Sequence, residues 1–160
     1  SLPSLLYYFI FKRKRIIKDF LKKGLILTGS RALNCYRING NKILNRKPND
    51  WDFIVTKSQF IEICKEYNIY DFDLSESKYY LDKSFATFSD DYGGKSTWFP
   101  CIIQLIIKDE LPNYTDYKGV KFASLDSIIE SKINLKCSSS SDTLKHKSDI
   151  NNIIVNTHNL

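Results

Sequence analysis

The chain reads as a single α+β domain in which a mixed β-sheet is flanked by helices, and three observations carry that expectation. A short apolar strand, Leu25 to Thr28, runs into Gly29-Ser30 and then into a helix opened by Arg31-Ala32-Leu33. A second strand begins Asp50-Trp51-Asp52 and continues as Phe53-Ile54-Val55. Amphipathic stretches of helical period lie at both ends of the chain. With 160 residues, one compact domain buries roughly 70% of the surface that its unfolded chain exposes, enough for a core without disulfide or metal staples. The apolar fraction of 42% is that of an ordinary globular chain.

Residues 1–24 are expected to form a helix. Leu6, Phe9, Ile10, Ile17, Phe20 and Leu21 recur at helical spacing, while Lys12, Arg13, Lys14, Lys18 and Lys22 fall elsewhere around it. The apolar run is too short to span a bilayer and its basic cluster follows it, the reverse of a secretory signal, so no stable membrane insertion is expected. The region from 25 to 110 supplies the sheet. Asn39-Gly40-Asn41 and Lys47-Pro48-Asn49 mark turns, so Cys35 to Asn49 reads as an inserted loop or short hairpin. Ser58 to Tyr67 follows the Asp-x-Asp strand as a helix with Phe60, Ile61, Cys64 and Tyr67 on one face. A strand from Lys78 to Phe88, a turn at Asp90 to Lys95 and the apolar strand Pro100 to Ile107 are expected to form a hairpin. Residues 120–155 supply C-terminal helices. Ser124 is the N-cap of the first, with Ile128, Ile129 and Ile133 as its apolar face, and the second turns Ile150, Ile153 and Ile154 inward.

Two carboxylates at alternate strand positions share one face, with Trp51 and Phe53 on the other. Such a pair can hold divalent ions about 3.5 to 4 Å apart, the arrangement that clamps attacking and leaving oxygens in phosphoryl or nucleotidyl transfer. Hard oxygen ligands favour Mg²⁺ or Mn²⁺. The competing explanation is a pair of solvated carboxylates keeping a strand edge soluble. Gly29 lets the backbone approach a ligand closely, and Ser30 either caps the following helix or donates to a phosphate oxygen. Arg37, Lys42, Arg46 and Lys47 lie in the inserted segment, where a solvated loop is the favoured reading over phosphate contact.

Strand, Gly-Ser, helix and Asp-x-Asp strand in this order resemble the nucleotidyltransferase superfamily with a DNA polymerase beta type of catalytic core. The C-terminal helices are similar to those of its minimal, abortive-infection toxin branch. The resemblance implies a mixed sheet of the nucleotidyltransferase type, with Gly29, Ser30 and Arg31 at the phosphates of an NTP and Asp50 and Asp52 on two Mg²⁺ ions. It further implies that Lys132 meets the triphosphate and that Asp149 serves as an auxiliary acid or base. The superfamily places a third carboxylate on a later apolar strand, where this chain has Gln104, and an amide takes up no proton at neutral pH. Asp71, Asp73, Asp109-Glu110 and Asp149 are the substitutes, with Asp149 preferred. Two functions follow: transfer of a nucleoside monophosphate from an NTP to RNA, a protein or a small molecule, or a degenerate module that binds nucleotides or nucleic acid.

Cys35, Cys64, Cys101 and Cys137 lie far apart, without zinc or redox spacing, and Cys64 and Cys101 fall on apolar faces. A reducing, cytoplasmic setting is expected. A formal charge of +6 suits RNA or another polyanion, or simply a soluble surface. Abundant lysine, isoleucine, asparagine and tyrosine suggest an AT-rich genome, such as that of a virus or a parasite, between which composition does not choose. No methionine is present, so the chain as given is expected to begin at a processing site or a cloning scar.

Overall fold

The computed structural model describes residues 14–48, 50–68, 78–81, 87–88, 103–134 and 140–158. The elements, in order, are helix α1 (residues 14–22), β1 (Ile26–Thr28), α2 (Gly29–Leu33), β2 (Arg37–Ile38), β3 (Asn41–Lys42), β4 (Trp51–Val55) and α3 (Lys57–Glu66). They continue as β5 (Lys78–Leu81), β6 (Thr87–Phe88), β7 (Ile103–Ile107), β8 (Tyr114–Tyr117), β9 (Val120–Ala123), α4 (Leu125–Ile133) and α5 (Ser140–His158). The fold is α+β, a mixed sheet flanked by helices. Seven strands lie in the order β6-β5-β7-β4-β1-β9-β8, with β2 and β3 apart as a two-stranded ribbon. β4 runs parallel to β7 and antiparallel to β1, and β1 runs parallel to β9.

Register sorts the two faces of this sheet. Leu27, Phe53 and Leu105 share one transverse row, and Trp51, Val55, Ile103 and Ile107 join the same face by alternation. Phe53 and Leu105 are fully buried, and each such side chain contributes roughly 1.5–3 kcal/mol relative to exposure. α1 covers this face. Phe20, also fully buried, meets the Phe53 ring edge-on at 5.4 Å and the Tyr67 ring at 5.9 Å. Ile16 and Ile17 are buried beside it, whereas Lys14, Arg15, Lys18 and Lys22 are exposed, which gives the basic outer face expected. Leu6, Phe9, Ile10, Lys12 and Arg13 lie outside the described residues. α3 is set by a capping box in which Thr56 Oγ1 accepts from the Gln59 amide and Gln59 Oε1 accepts from the Thr56 amide. That cap starts the helix one residue after β4 ends. Cys64 is buried in α3, and burial pushes its thiol up to about 11, as suits a core residue.

Several expectations need correction. Lys78 to Phe88 is not one strand: β5 and β6 pair antiparallel with each other, and β5 pairs antiparallel with β7. The turn at Asp90 to Lys95 lies outside the described residues, as do Cys101 and Cys137. β8 was not expected at all. It pairs antiparallel with β9 and forms the sheet edge, with all four residues exposed. Ser124 caps α4 as expected, accepting from the Ser127 amide at 3.2 Å, yet Ile133 is exposed while Lys132 is buried. In α5 Ile153 is buried and Ile154 is exposed. The inserted segment is the short hairpin that its Asn39-Gly40 turn indicated, with both turn residues at positive φ. Among the described residues, no helix is long and apolar enough to cross a membrane.

Candidate functional site

The opposite face of the sheet carries the chemistry. Thr28, Asp52 and Gln104 lie in one transverse row across β1, β4 and β7, and Tyr80 of β5 extends it. Asp50, expected as the first residue of this strand, directly precedes β4 and lies outside it, whereas Asp52 lies within it. The position beside Asp52 on the parallel strand therefore holds an amide, as the sequence suggested. Asp71 and Asp73 lie outside the described residues. Asp109 follows the far end of β7 and pairs loosely with Lys57 at 3.8 Å, with its side chain 90% exposed. Five residues of extended chain separate it from Gln104, about 16 Å. That places it away from the row.

Gly29 joins β1 to α2 at φ +69°, a left-handed conformation that L side chains rarely adopt. A Cβ there would collide with Asp52 Oδ2 and lie 3.3 Å from Asp52 Cγ. The glycine is thus the condition for bringing the β1–α2 bend against the carboxylate. Thr28, not Ser30, occupies the N-cap position, and α2 is only five residues long. So short a helix has little dipole of its own to hold an anion. Charge comes instead from side chains.

Ser30 Oγ accepts hydrogen bonds from Lys132 Nζ at 3.0 Å and Arg46 Nη2 at 2.9 Å. Asp149 joins the same cations. Its Oδ2 accepts from Lys132 Nζ at 2.9 Å and Arg46 Nη2 at 2.7 Å, and its Oδ1 accepts from Arg46 Nε at 3.0 Å. The guanidinium thus grips the carboxylate with two nitrogens, the strong and directional form of this pair. Asp149 is 1% exposed and Lys132 6%. Burial works to raise the Asp149 carboxyl, but hydrogen bonds from Arg46 and the Lys132 charge outweigh it and hold the group below the usual range. Burial pulls the Lys132 ammonium down, against the attraction of Asp149, with the Arg46 charge lowering it further and Asp52 raising it.

Lys132 therefore meets Ser30, and Asp149 is joined to it through Lys132 and Arg46, although 102 and 119 positions separate them from Ser30 in the chain. Arg31 turns elsewhere: its Nη2 donates to the Pro48 carbonyl at 3.1 Å and its guanidinium lies 4.3 Å from the Trp51 ring centroid. Arg46 is the residue that sequence reasoning undervalued, having been assigned to a solvated loop. Its loop is tied to α5 by Asn152 Nδ2 donating to Asn45 Oδ1 at 3.2 Å and Asn156 Nδ2 to the Ile43 carbonyl at 3.3 Å. Only its position four residues before Asp50 hinted at proximity to the site.

Two carboxylates plus phosphate oxygens and water form a donor set that Mg²⁺ accepts. Asp50 and Asp52 fit that set, and the glycine bend leaves the Asp52 carboxylate uncovered by any Cβ at position 29. Among the described residues, no group of three or more His, Cys, Asp or Glu side chains forms a complete protein-only metal cage.

A mixed sheet flanked by helices, with a glycine bend set between a carboxylate and a cation pair of buried Lys132 and half-buried Arg46, defines the class of domain. The chain belongs to the DUF7277 family, a domain of unknown function whose model matches residues 25–151. No curated protein gives a significant match. Two solved structures from Helicobacter pylori are similar at 16% identity and a TM-score of 0.42: JHP933, and a protein described as a candidate nucleotidyltransferase. The alignments cover 77% of this chain but 55% and 57% of those chains, so it spans little more than half of either.

Proposed function

We propose that this domain binds a metal-loaded nucleoside triphosphate and transfers its nucleoside monophosphate to an acceptor. One observation carries the reading: consecutive residues of a single bend touch opposite charges, Gly29 facing the Asp52 carboxylate and Ser30 held by Lys132 and Arg46. A triphosphate with its divalent ion is a ligand of matching polarity, cationic where the carboxylates are and anionic where Lys132 is. The assignment gives Asp50 and Asp52 the task of holding Mg²⁺ or Mn²⁺. A bound ion there supplies Lewis-acid stabilisation of phosphate charge.

Gly29 admits the phosphates close to the backbone, Ser30 donates its hydroxyl to a phosphate oxygen, and Lys132 offsets the negative charge that develops as pyrophosphate leaves. Asp149 acts as a positioning group and not as a base. Both of its oxygens are already engaged by Arg46 and Lys132. Arg31 supports the bend through Trp51 and Pro48 rather than through the nucleotide.

A second reading is favoured by Gln104. With an amide beside Asp52 in the row, the domain binds nucleotide or nucleic acid without turnover. Incubation with Mg²⁺, labelled NTPs and total RNA separates the two. Label on RNA that disappears in Asp52→Asn supports transfer. Binding of NTP without pyrophosphate release across RNA, protein and small-molecule acceptors supports the module. The exposed Lys14, Arg15, Lys18 and Lys22 of α1 suit a polyanionic acceptor.

A further inference from the structure

Hydrogen-bond accounting at Ser30 carries a step beyond the proposed reaction. A serine hydroxyl has one proton and two lone pairs. Lys132 and Arg46 are donors without acceptor capacity, so both contacts to Ser30 Oγ, at 3.0 and 2.9 Å, must consume its lone pairs. The hydroxyl proton is thereby directed away from both cations. Without Arg46 one lone pair is released, and the hydroxyl regains the freedom to rotate.

The charge balance points the same way. Asp149 offers one negative charge to two cations, and the positive charge left over on the Lys132 and Arg46 groups at Ser30 is drawn on by Asp52 as well. An anion at Ser30 competes with Asp52 for it. The Asp149 carboxylate cannot swing out to compete, because three hydrogen bonds fix both of its oxygens.

We infer that Arg46 is a positioning residue which locks Ser30 as an obligate donor and keeps Lys132 aligned for an oligophosphate, its guanidinium fork bridging Asp149 and Ser30 at once. The inference rests on the reading that this bend takes a triphosphate, and it adds the loop before β4 to that site. Lysine cannot replace this fork: one ammonium lacks the planar pair of nitrogens that spans both carboxylate oxygens. The role is therefore geometric as well as electrostatic.

The test uses inorganic tripolyphosphate as the probe, without divalent metal and without any acceptor, with binding followed by calorimetry on the full chain. Arg46→Lys keeps the charge, and Ser30→Ala keeps the Arg46–Asp149 pair, so both variants avoid stripping a buried carboxylate. Arg46→Lys is expected to weaken tripolyphosphate at least about tenfold, the worth of one hydrogen bond to a charged group. Ser30→Ala is expected to weaken it similarly, and the double variant to lose much less than the product of the two. That non-additivity distinguishes positioning of Ser30 from general support of the fold.

Full retention of binding by Arg46→Lys overturns the inference, as does a double variant whose loss equals the product of the single losses. The proposed transfer reaction is tested separately by label incorporation. An active enzyme indifferent to Arg46→Lys leaves transfer standing and ends this proposal. Tight, fork-dependent tripolyphosphate binding with no transfer to any acceptor does the reverse.

Discussion

Gly29 shows how narrow the tolerance is at single residues. Its positive φ and the adjacent Asp52 carboxylate both forbid a Cβ. Gly29→Ala is expected to destabilise the fold by at least about 1–2 kcal/mol, the left-handed backbone cost alone. It should also push the Asp52 carboxylate aside, which thermal unfolding with and without Mn²⁺ measures. Asp149 gives a second test at this scale. Its folded carboxyl lies below the ordinary carboxylate range, so its contribution to stability is complete above the unfolded value and drains as pH falls through the folded one. Asp19 titrates in the same direction through Lys23 and Tyr67, so the comparison must be made against a variant. Asp149→Asn is expected to unfold more easily at neutral pH, and to show a shallower loss of stability below about pH 4 than the parent. Parallel acid limbs in the two proteins would refute the buried ion pairs. At this scale the sequence showed Gly29, Ser30 and Asp52 clearly, because adjacent strand and turn signals identify them. It could not show Arg46, because 103 positions separate it from the carboxylate that gives it meaning.

Elements were legible where burial imposes a period and illegible where it does not. β4 and β7 have their apolar residues against the core and were expected as strands. β8 is exposed at every position and leaves no alternation to detect. The division of Lys78 to Phe88 into β5 and β6 was hidden because the sequence between Leu81 and Thr87 contains no Gly or Pro to interrupt the strand pattern. In α4 a helical stripe of isoleucines implied that Ile133 was core, yet the buried position went to Lys132, whose ion pair with Asp149 makes burial tolerable. α1 has the clearest energetic prediction. Phe20 is fully buried between Phe53 and Tyr67, so Phe20→Ala is expected to cost about 3–5 kcal/mol in denaturant unfolding. A loss under about 1 kcal/mol would mean that α1 is not docked on the sheet.

At the scale of the whole molecule the sheet separates two tasks. One face is packed by α1, whose Phe20 meets Phe53. The other face sets Asp52 and Gln104 in one row beneath a bend held by two C-terminal helices. The site is thus closed by residues from the start, middle and end of the domain. Binding at one part should stabilise all of it. Asp50 and Asp52 carry like charges two positions apart in the chain, and a divalent ion held between them would relieve their repulsion. The most direct measurement is the melting temperature of the full chain with and without millimolar Mn²⁺, for the parent and for Asp50→Asn. A rise in the parent that is abolished in Asp50→Asn is the expected result; an equal response in both proteins would contradict the metal–triphosphate site.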